Sequence, residues 1–155
     1  MKAIRWIIAA TAATFVQPTQ AATTSPEVII YRFPGVTDSG QGENFGVATI
    51  FHCTNFSGVT ENIRFVTRHS AGPLITNRVF PIAHLATLTA STHLTAAYQN
   101  EVDLITGGVA QGTTAIAATS INIICTAETI DASKTYPDGV ARRGIRFSPV
   151  PGSQE

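Results

Sequence analysis

The chain has 155 residues, with 10 Lys+Arg against 10 Asp+Glu, and only 13% of it is charged. It therefore carries no basic excess with which to grip nucleic acid or anionic lipid. No apolar run approaches the roughly 20 residues that a helix needs to cross a bilayer.

Residues 1–21 read as a secretory leader. Lys2 and Arg5 form a short positive region, Trp6 to Val16 is uncharged and rich in Ile, Ala and Thr, and Pro18 breaks the run. Thr19-Gln20-Ala21 then offers small residues at the positions a signal peptidase reads. Cleavage after Ala21 leaves residues 22–155 as one domain, with 8 Lys+Arg against 10 Asp+Glu and a charge of about −2 with His neutral. A chain of that length buries about two thirds of its unfolded surface. No transmembrane segment is expected after the leader.

From Glu27 onward the apolar pattern has period two more often than 3.6, with turn residues between the runs. Val28 to Phe33 alternates, and Pro34-Gly35 is expected to end that strand. Asp38 to Gly42 reads as a loop. Phe45 to Cys53 sets Val47, Thr49, Phe51 and Cys53 on one face, while Ile50 on the other suggests that both faces are covered. Ile63 to Arg68 puts Ile63, Phe65 and Thr67 inward and Arg64 and Arg68 toward water, with Val66 beneath the arginine stems. Leu74 to Phe80 is the next strand, after the turn at Ala71-Gly72-Pro73.

Residues 84–90 are expected as a strand. Residues 91–99 stay open between a short helix capped by Ser91 and a loop, because their threonines lose rotamer freedom in a helix. Val102 to Ile105 is a short strand. Ser120 to Ile130 alternates Ile121, Ile123, Cys125 and Ala127 against Asn122, Ile124, Thr126 and Glu128. Lys134 to Gly139 reads as a loop, and a last strand begins at Ile145 before Pro149 and Pro151 stop it. This rhythm predicts an all-β fold, a single antiparallel β-sandwich of about seven or eight strands with immunoglobulin-like architecture.

Two cysteines, Cys53 and Cys125, leave one possible pairing. An even count inside apolar strands of an exported chain points to a structural disulfide. It would tie two distant strands across the core and close a loop of about 70 residues, stabilising the fold by about 4 kcal/mol in the chain-entropy treatment. The spacing resembles immunoglobulin-like domains in architecture only. The single tryptophan, Trp6, lies in the leader, and Ile123 stands where a tyrosine corner would place Tyr.

Phe51-His52-Cys53-Thr54-Asn55-Phe56, the run Ala117 to Ala127 and the closing Arg146-Phe147-Ser148-Pro149-Val150-Pro151-Gly152-Ser153-Gln154-Glu155 resemble a group of small, β-rich exported bacterial proteins with two cysteines. The resemblance begins near residue 45. It implies export and supplies no catalytic residue.

Local signals for chemistry are sparse. His52 alternates away from Cys53, His69 sits at a strand end, and His84 and His93 are nine apart, which fits neither a helical nor a strand metal pair. No Gly-x-Ser-x-Gly elbow or Ser-x-x-Lys occurs, the carboxylates stand singly, and Gly40-Gln41-Gly42 lacks the setting of a phosphate loop. Asn55-Phe56-Ser57 matches a glycosylation acceptor by composition only. The reading expects no catalytic, cofactor or metal residue, a secreted or periplasmic location, and no nucleic-acid partner. It favours a non-enzymatic envelope or extracellular domain that contacts a protein or glycan through loops 35–44, 54–61 or 91–100. The alternatives are a pilin-like fibre subunit donating Val28 to Phe33 to a neighbour, and a hydrolase or metal protein built from scattered histidines.

Overall fold

A computed structural model describes residues 27–146; the expected leader and the closing segment from Phe147 lie outside the described residues. Ten strands form: β1 (Val28–Asp38), β2 (Val47–Asn55), β3 (Glu61–His69), β4 (Leu74–Ile82), β5 (Thr87–Ser91), β6 (Glu101–Asp103), β7 (Val109–Ala118), β8 (Ile123–Asp131), β9 (Gly139–Arg142) and β10 (Ile145–Arg146). They make two five-stranded sheets. Sheet A runs β10-β1-β7-β3-β4 and sheet B runs β6-β5-β2-β8-β9. Every pairing is antiparallel except β5 with β6. The all-β expectation holds, and residues 91–99 contain no helix.

Alternating faces account for how the sheets stack. Phe33 on β1, Phe51 on β2 and Phe65 on β3 are fully buried, and their rings meet in sequence at 5.5 and 5.8 Å between centroids. Because Phe51 belongs to sheet B and the other two to sheet A, these contacts bind the layers together. Each such ring contributes about 1.5–3 kcal/mol by leaving water. Inside the sandwich, Thr67 of β3 and Thr114 of β7 satisfy one another through a 2.7 Å hydroxyl hydrogen bond. A smaller apolar cluster lies on the opposite side of sheet B, where Ala97 and Tyr98 cover Ala48, Ile50, Ile130 and Ala132. Ile50 is thus buried on the outward face, as the two-sided pattern of its strand implied.

Several expectations need correction, among them the strand expected at 84–90, which forms only over Thr87–Ser91. β1 does not stop at Pro34-Gly35 but continues to Asp38 through two register shifts. β10 pairs only with Tyr31 and Arg32, so beyond them β1 has an open side on which a proline's missing N–H costs nothing. β8 starts at Ile123, and Ile121 is exposed in the turn before it. β9 begins at Gly139, read from the sequence as the last residue of a loop, and runs on through Arg142. Most consequential is β7, which fell in no expected strand yet lies at the centre of sheet A, paired with β1 and β3. Its sequence, VAQGTTAIAA, has too many small and hydroxyl side chains to show an alternation. Gly112 within it has no room for a side chain: an added Cβ would stand 2.7 Å from the Arg68 carbonyl oxygen.

Cys53 and Cys125 are bonded. The bond lies within sheet B rather than across the core, since the two residues face each other on neighbouring strands β2 and β8 with Cα atoms 4.1 Å apart. That spacing belongs to the narrow, non-hydrogen-bonded kind of antiparallel pair. The inter-sheet bridge of immunoglobulin domains is absent among the described residues. The entropic consequence is unchanged, because it depends on the separation of 72 residues and not on which surfaces are joined. Replacing both residues by Ala is expected to lower unfolding free energy by about 4 kcal/mol and to steepen the urea dependence as the unfolded chain opens further. A loss under about 1 kcal/mol in urea titration would show that the tether scarcely constrains the unfolded chain.

Candidate functional site

The outward face of sheet A carries a groove of about 490 Å³. Its sides are contributed by Arg32 on β1, by Val66, Arg68 and His69 on β3, by Ser70 and Gly72 in the β3–β4 turn, and by Thr113 and Ala115 on β7. Strand register explains the assembly. Ala115 pairs with Arg32 on one side and Val66 on the other, while Thr113 pairs with Pro34 and Arg68. The small side chains of β7 form the low middle of the sheet, and the longer residues of β1 and β3 rise beside it. Arg68 is steadied by its Nη1, which donates to the Gly72 carbonyl at 3.0 Å. Neighbouring Arg64 is committed elsewhere: its Nε and Nη2 donate to the Glu27 carboxylate and its Nη1 to Asn77.

Charge is divided between the sheets. The strands of sheet A carry Arg32, Arg64, Arg68, Arg78 and Arg146 against Asp38 and Glu61. Those of sheet B carry Glu101, Asp103, Glu128 and Asp131 against Arg142. By register Arg32, Arg64 and Arg68 lie on the outward face with the groove, whereas Arg78 and Arg146 pair with the buried Phe65 and Tyr31 and belong to the inward face. A local cationic field attracts anions whatever the sign of the net charge.

The four histidines do not converge. His69 lines the groove, whereas the exposed His84 accepts a hydrogen bond from the Gly58 amide at 3.1 Å. His52 sits on the outer side of sheet B, with Nδ1 3.1 Å from the Thr89 hydroxyl and Nε2 3.4 Å from Glu128 Oε1. The Tyr98 hydroxyl donates to the same Glu128 oxygen, and its ring meets the imidazole edge-on at 4.9 Å. Burial and the Glu128 carboxylate hold the Tyr98 phenol well above its ordinary pKa, so it stays a donor. This group fastens residues 97–98 onto sheet B.

His93 is buried. Its Nδ1 lies 2.8 Å from Asp38 Oδ2, an oxygen that also accepts from the Thr106 hydroxyl at 3.3 Å. Asp38 Oδ1 accepts from the Gly40 amide at 2.7 Å. One aspartate thus joins the end of β1 to the segments after β5 and β6. A Ser–His–Asp relay would need a serine hydroxyl on His93 Nε2. Among the described residues His93 Nε2 is buried with no hydrogen-bond partner, Ser91 Oγ included, so these residues form no relay. Nearby, Glu101 accepts from the Thr95 amide and hydroxyl, and burial raises its carboxyl pKa above the usual value. Among the described residues no three His, Cys, Asp or Glu side chains gather as metal ligands, and no helix is long and apolar enough to cross a membrane.

The groove lies on none of the loops singled out from the sequence. Residues 35–44 and 91–100 meet at one end of the sandwich, where the Asn44 amide bonds the Leu94 carbonyl. Loop 54–61 lies at the other end, where exposed Phe56 adjoins the 119–122 turn and Leu85 holds a left-handed backbone with φ of 60°. Arg32, Thr113 and Ala115 escaped the sequence reading because a sheet-face site has no contiguous motif. The available signal was Arg32 and Arg68 on separate strands, and it needed the missing β7 to join them.

Two outcomes test the buried polar end. Asp38→Ala removes the bonds accepted from Gly40, His93 and Thr106 and is expected to cost about 2–4 kcal/mol in urea titration, whereas a surface carboxylate would cost a few tenths. Glu101→Gln addresses the raised carboxyl. Because burial disfavours its charged form, the stability it contributes is full below the ordinary carboxylate pKa and fades as pH rises through the folded value. The parent chain is therefore expected to gain stability relative to Glu101→Gln between about pH 7 and about pH 4, read as the difference in thermal midpoints. Comparison of the chain with protein-family models, with curated proteins and with solved structures finds no match.

Proposed function

We propose that this chain is an exported, non-enzymatic β-sandwich domain that binds an anionic partner on the outward face of sheet A. The observation that carries the reading is the joint presence of Arg32, Arg68 and His69 along one groove of an otherwise charge-poor molecule. Guanidinium groups bind oxyanions through paired, charge-assisted hydrogen bonds, and Arg68 is held in place before any ligand arrives. Export rests on the leader-like residues 1–21, on the resemblance to small exported bacterial proteins and on the disulfide, which is consistent with an oxidising periplasmic or extracellular compartment.

A self-contained binding domain accounts for the packing better than a strand-donating fibre subunit does. β1 lies between β10 and β7, and its Ile30, Phe33 and Val36 are buried in its own core. Withdrawing it would expose all three. A hydrolytic reading gains little from the histidines, since the His93–Asp38 pair is buried and, among the described residues, no nucleophile is bonded to it.

Sulfate is a sufficient probe of the groove. In an NMR titration of the oxidised chain with sodium sulfate, against chloride at equal ionic strength, shifts are expected at Ser70, Thr113 and the Arg32 and Arg68 side chains. Arg68→Gln should weaken sulfate binding about tenfold, the equivalent of one charge-assisted hydrogen bond. Shifts no larger in the groove than elsewhere, or unchanged affinity in Arg68→Gln, would overturn the assignment.

A further inference from the structure

Register fixes a spacing across the groove. Arg32 and Arg68 stand on the two strands that flank β7, and their partners on β7, Ala115 and Thr113, are two residues apart. Two strand separations near 4.8 Å and two residue rises near 3.4 Å place the two arginine Cα positions about 12 Å apart on a diagonal. Val66, Thr113 and Ala115 line the groove with them. Two cationic side chains thus stand along one oblique line, separated by small and uncharged surface.

The chemistry around that line narrows the ligand. An extended peptide is commonly bound by adding a strand to a sheet edge, where backbone groups are unpaired. Here the groove crosses β1, β7 and β3 in mid-sheet, where β7 is paired on both sides. Recognition must come from side chains alone, and a peptide laid on this face would leave its own amides and carbonyls without backbone partners. Among the described residues the lining includes no Phe, Tyr or Trp, the aromatic platforms on which nucleic-acid bases stack. It offers guanidinium and imidazole groups with the hydroxyls of Ser70 and Thr113. Those groups match a carrier that is itself rich in hydroxyls and bears separated oxyanions.

From this juxtaposition we infer that the groove takes an acidic saccharide chain, with Arg32 and Arg68 engaging two anionic substituents borne on different sugar units. The inference rests on the anion-binding reading of the same face. The oxyanion is a sulfate half-ester or a uronate carboxylate, which share planar or tetrahedral oxygens that a guanidinium fork can grip. Engaging two sites through one ligand raises apparent affinity without any new contact, so a longer chain binds more tightly than a single sugar.

Calorimetry on the oxidised chain compares five probes: a sulfated oligosaccharide, an oligouronate of equal length, a neutral oligosaccharide, an acidic peptide and a single-stranded oligonucleotide, the charged ones matched in charge. Sodium sulfate serves as the simple anion. The expected result is binding of one or both acidic saccharides, with the two arms identifying the oxyanion, and no heat from the neutral one. Arg32→Gln and Arg68→Gln are each expected to reduce affinity about tenfold and to flatten its salt dependence, whereas Arg78→Gln, which removes an arginine outside the groove, leaves both unchanged. Matching thermal midpoints show that the variants are folded. If the peptide or the oligonucleotide binds as well as the saccharides and loses affinity in Arg68→Gln, the saccharide inference falls while the anion site stands. If sulfate and every charged probe fail to bind, both fall. Saccharide binding unaffected by either groove variant also overturns the inference.

Discussion

The arrangement of this molecule depends on β7. Sheet A is continuous only because β7 pairs with β1 over one side and with β3 over the other, although β1 and β3 are far from it in sequence. Its inward residues, among them Thr114 and Ile116, belong to the buried core, while Thr113 and Ala115 keep its outward side low. Larger outward side chains at these positions would fill the trough between Arg32 and Arg68. The same smallness that permits close packing of three strands therefore also creates the groove. Gly112 extends the constraint, since even a methyl group there would press on the carbonyl oxygen of Arg68.

Sheet B meets a different requirement. Its outward side carries Ile50 and Ile130, which would be costly to expose, and the chain covers them with the segment after β5. That segment is irregular, so its polar groups need partners outside a ladder. The Ala96 amide bonds the Ala132 carbonyl, Glu101 takes up the Thr95 amide, Tyr98 and His52 share Glu128, and His93 reaches Asp38. The histidines and acids on this side are thereby occupied in holding a cover down. One sheet is lidded by its own chain, whereas among the described residues the other carries a groove on its outward face.

The legible part of the sequence was whatever alternates. In β3 the order Ile63, Phe65, Thr67 against Arg64 and Arg68 matches the observed burial, and β8 alternates as read from Ile123 to Ala127. The pairing of Cys53 with Cys125 came from there being two cysteines. Its position within one sheet did not, because sequence separation says nothing about which strands become neighbours. β7 was hidden since Ala, Gly and Thr give no contrast between an inward and an outward side. Pro34-Gly35 misled for the opposite reason: these residues break a strand paired on both sides, and β1 at that point is paired on one. The groove inherited the difficulty of β7, as its two arginines lie 36 residues apart in sequence and meet only across the strand that was missed.

Net charge is a poor guide to what such a chain attracts. Without Lys2 and Arg5 of the expected leader the balance tips slightly negative, which by itself argues against any anionic partner. Sorting overturns that conclusion. Fields from exposed charges decay over a Debye length of about 8 Å at physiological salt, so a ligand near the sheet A groove is governed mainly by the arginines around it. The acids of sheet B lie on the other layer, with the hydrophobic core between them and the groove, and several are already engaged in hydrogen bonds. A chain whose acids and bases balance can thus present one cationic face. The separation of charge between the two sheets, rather than its sum, is what supports the proposed anionic partner.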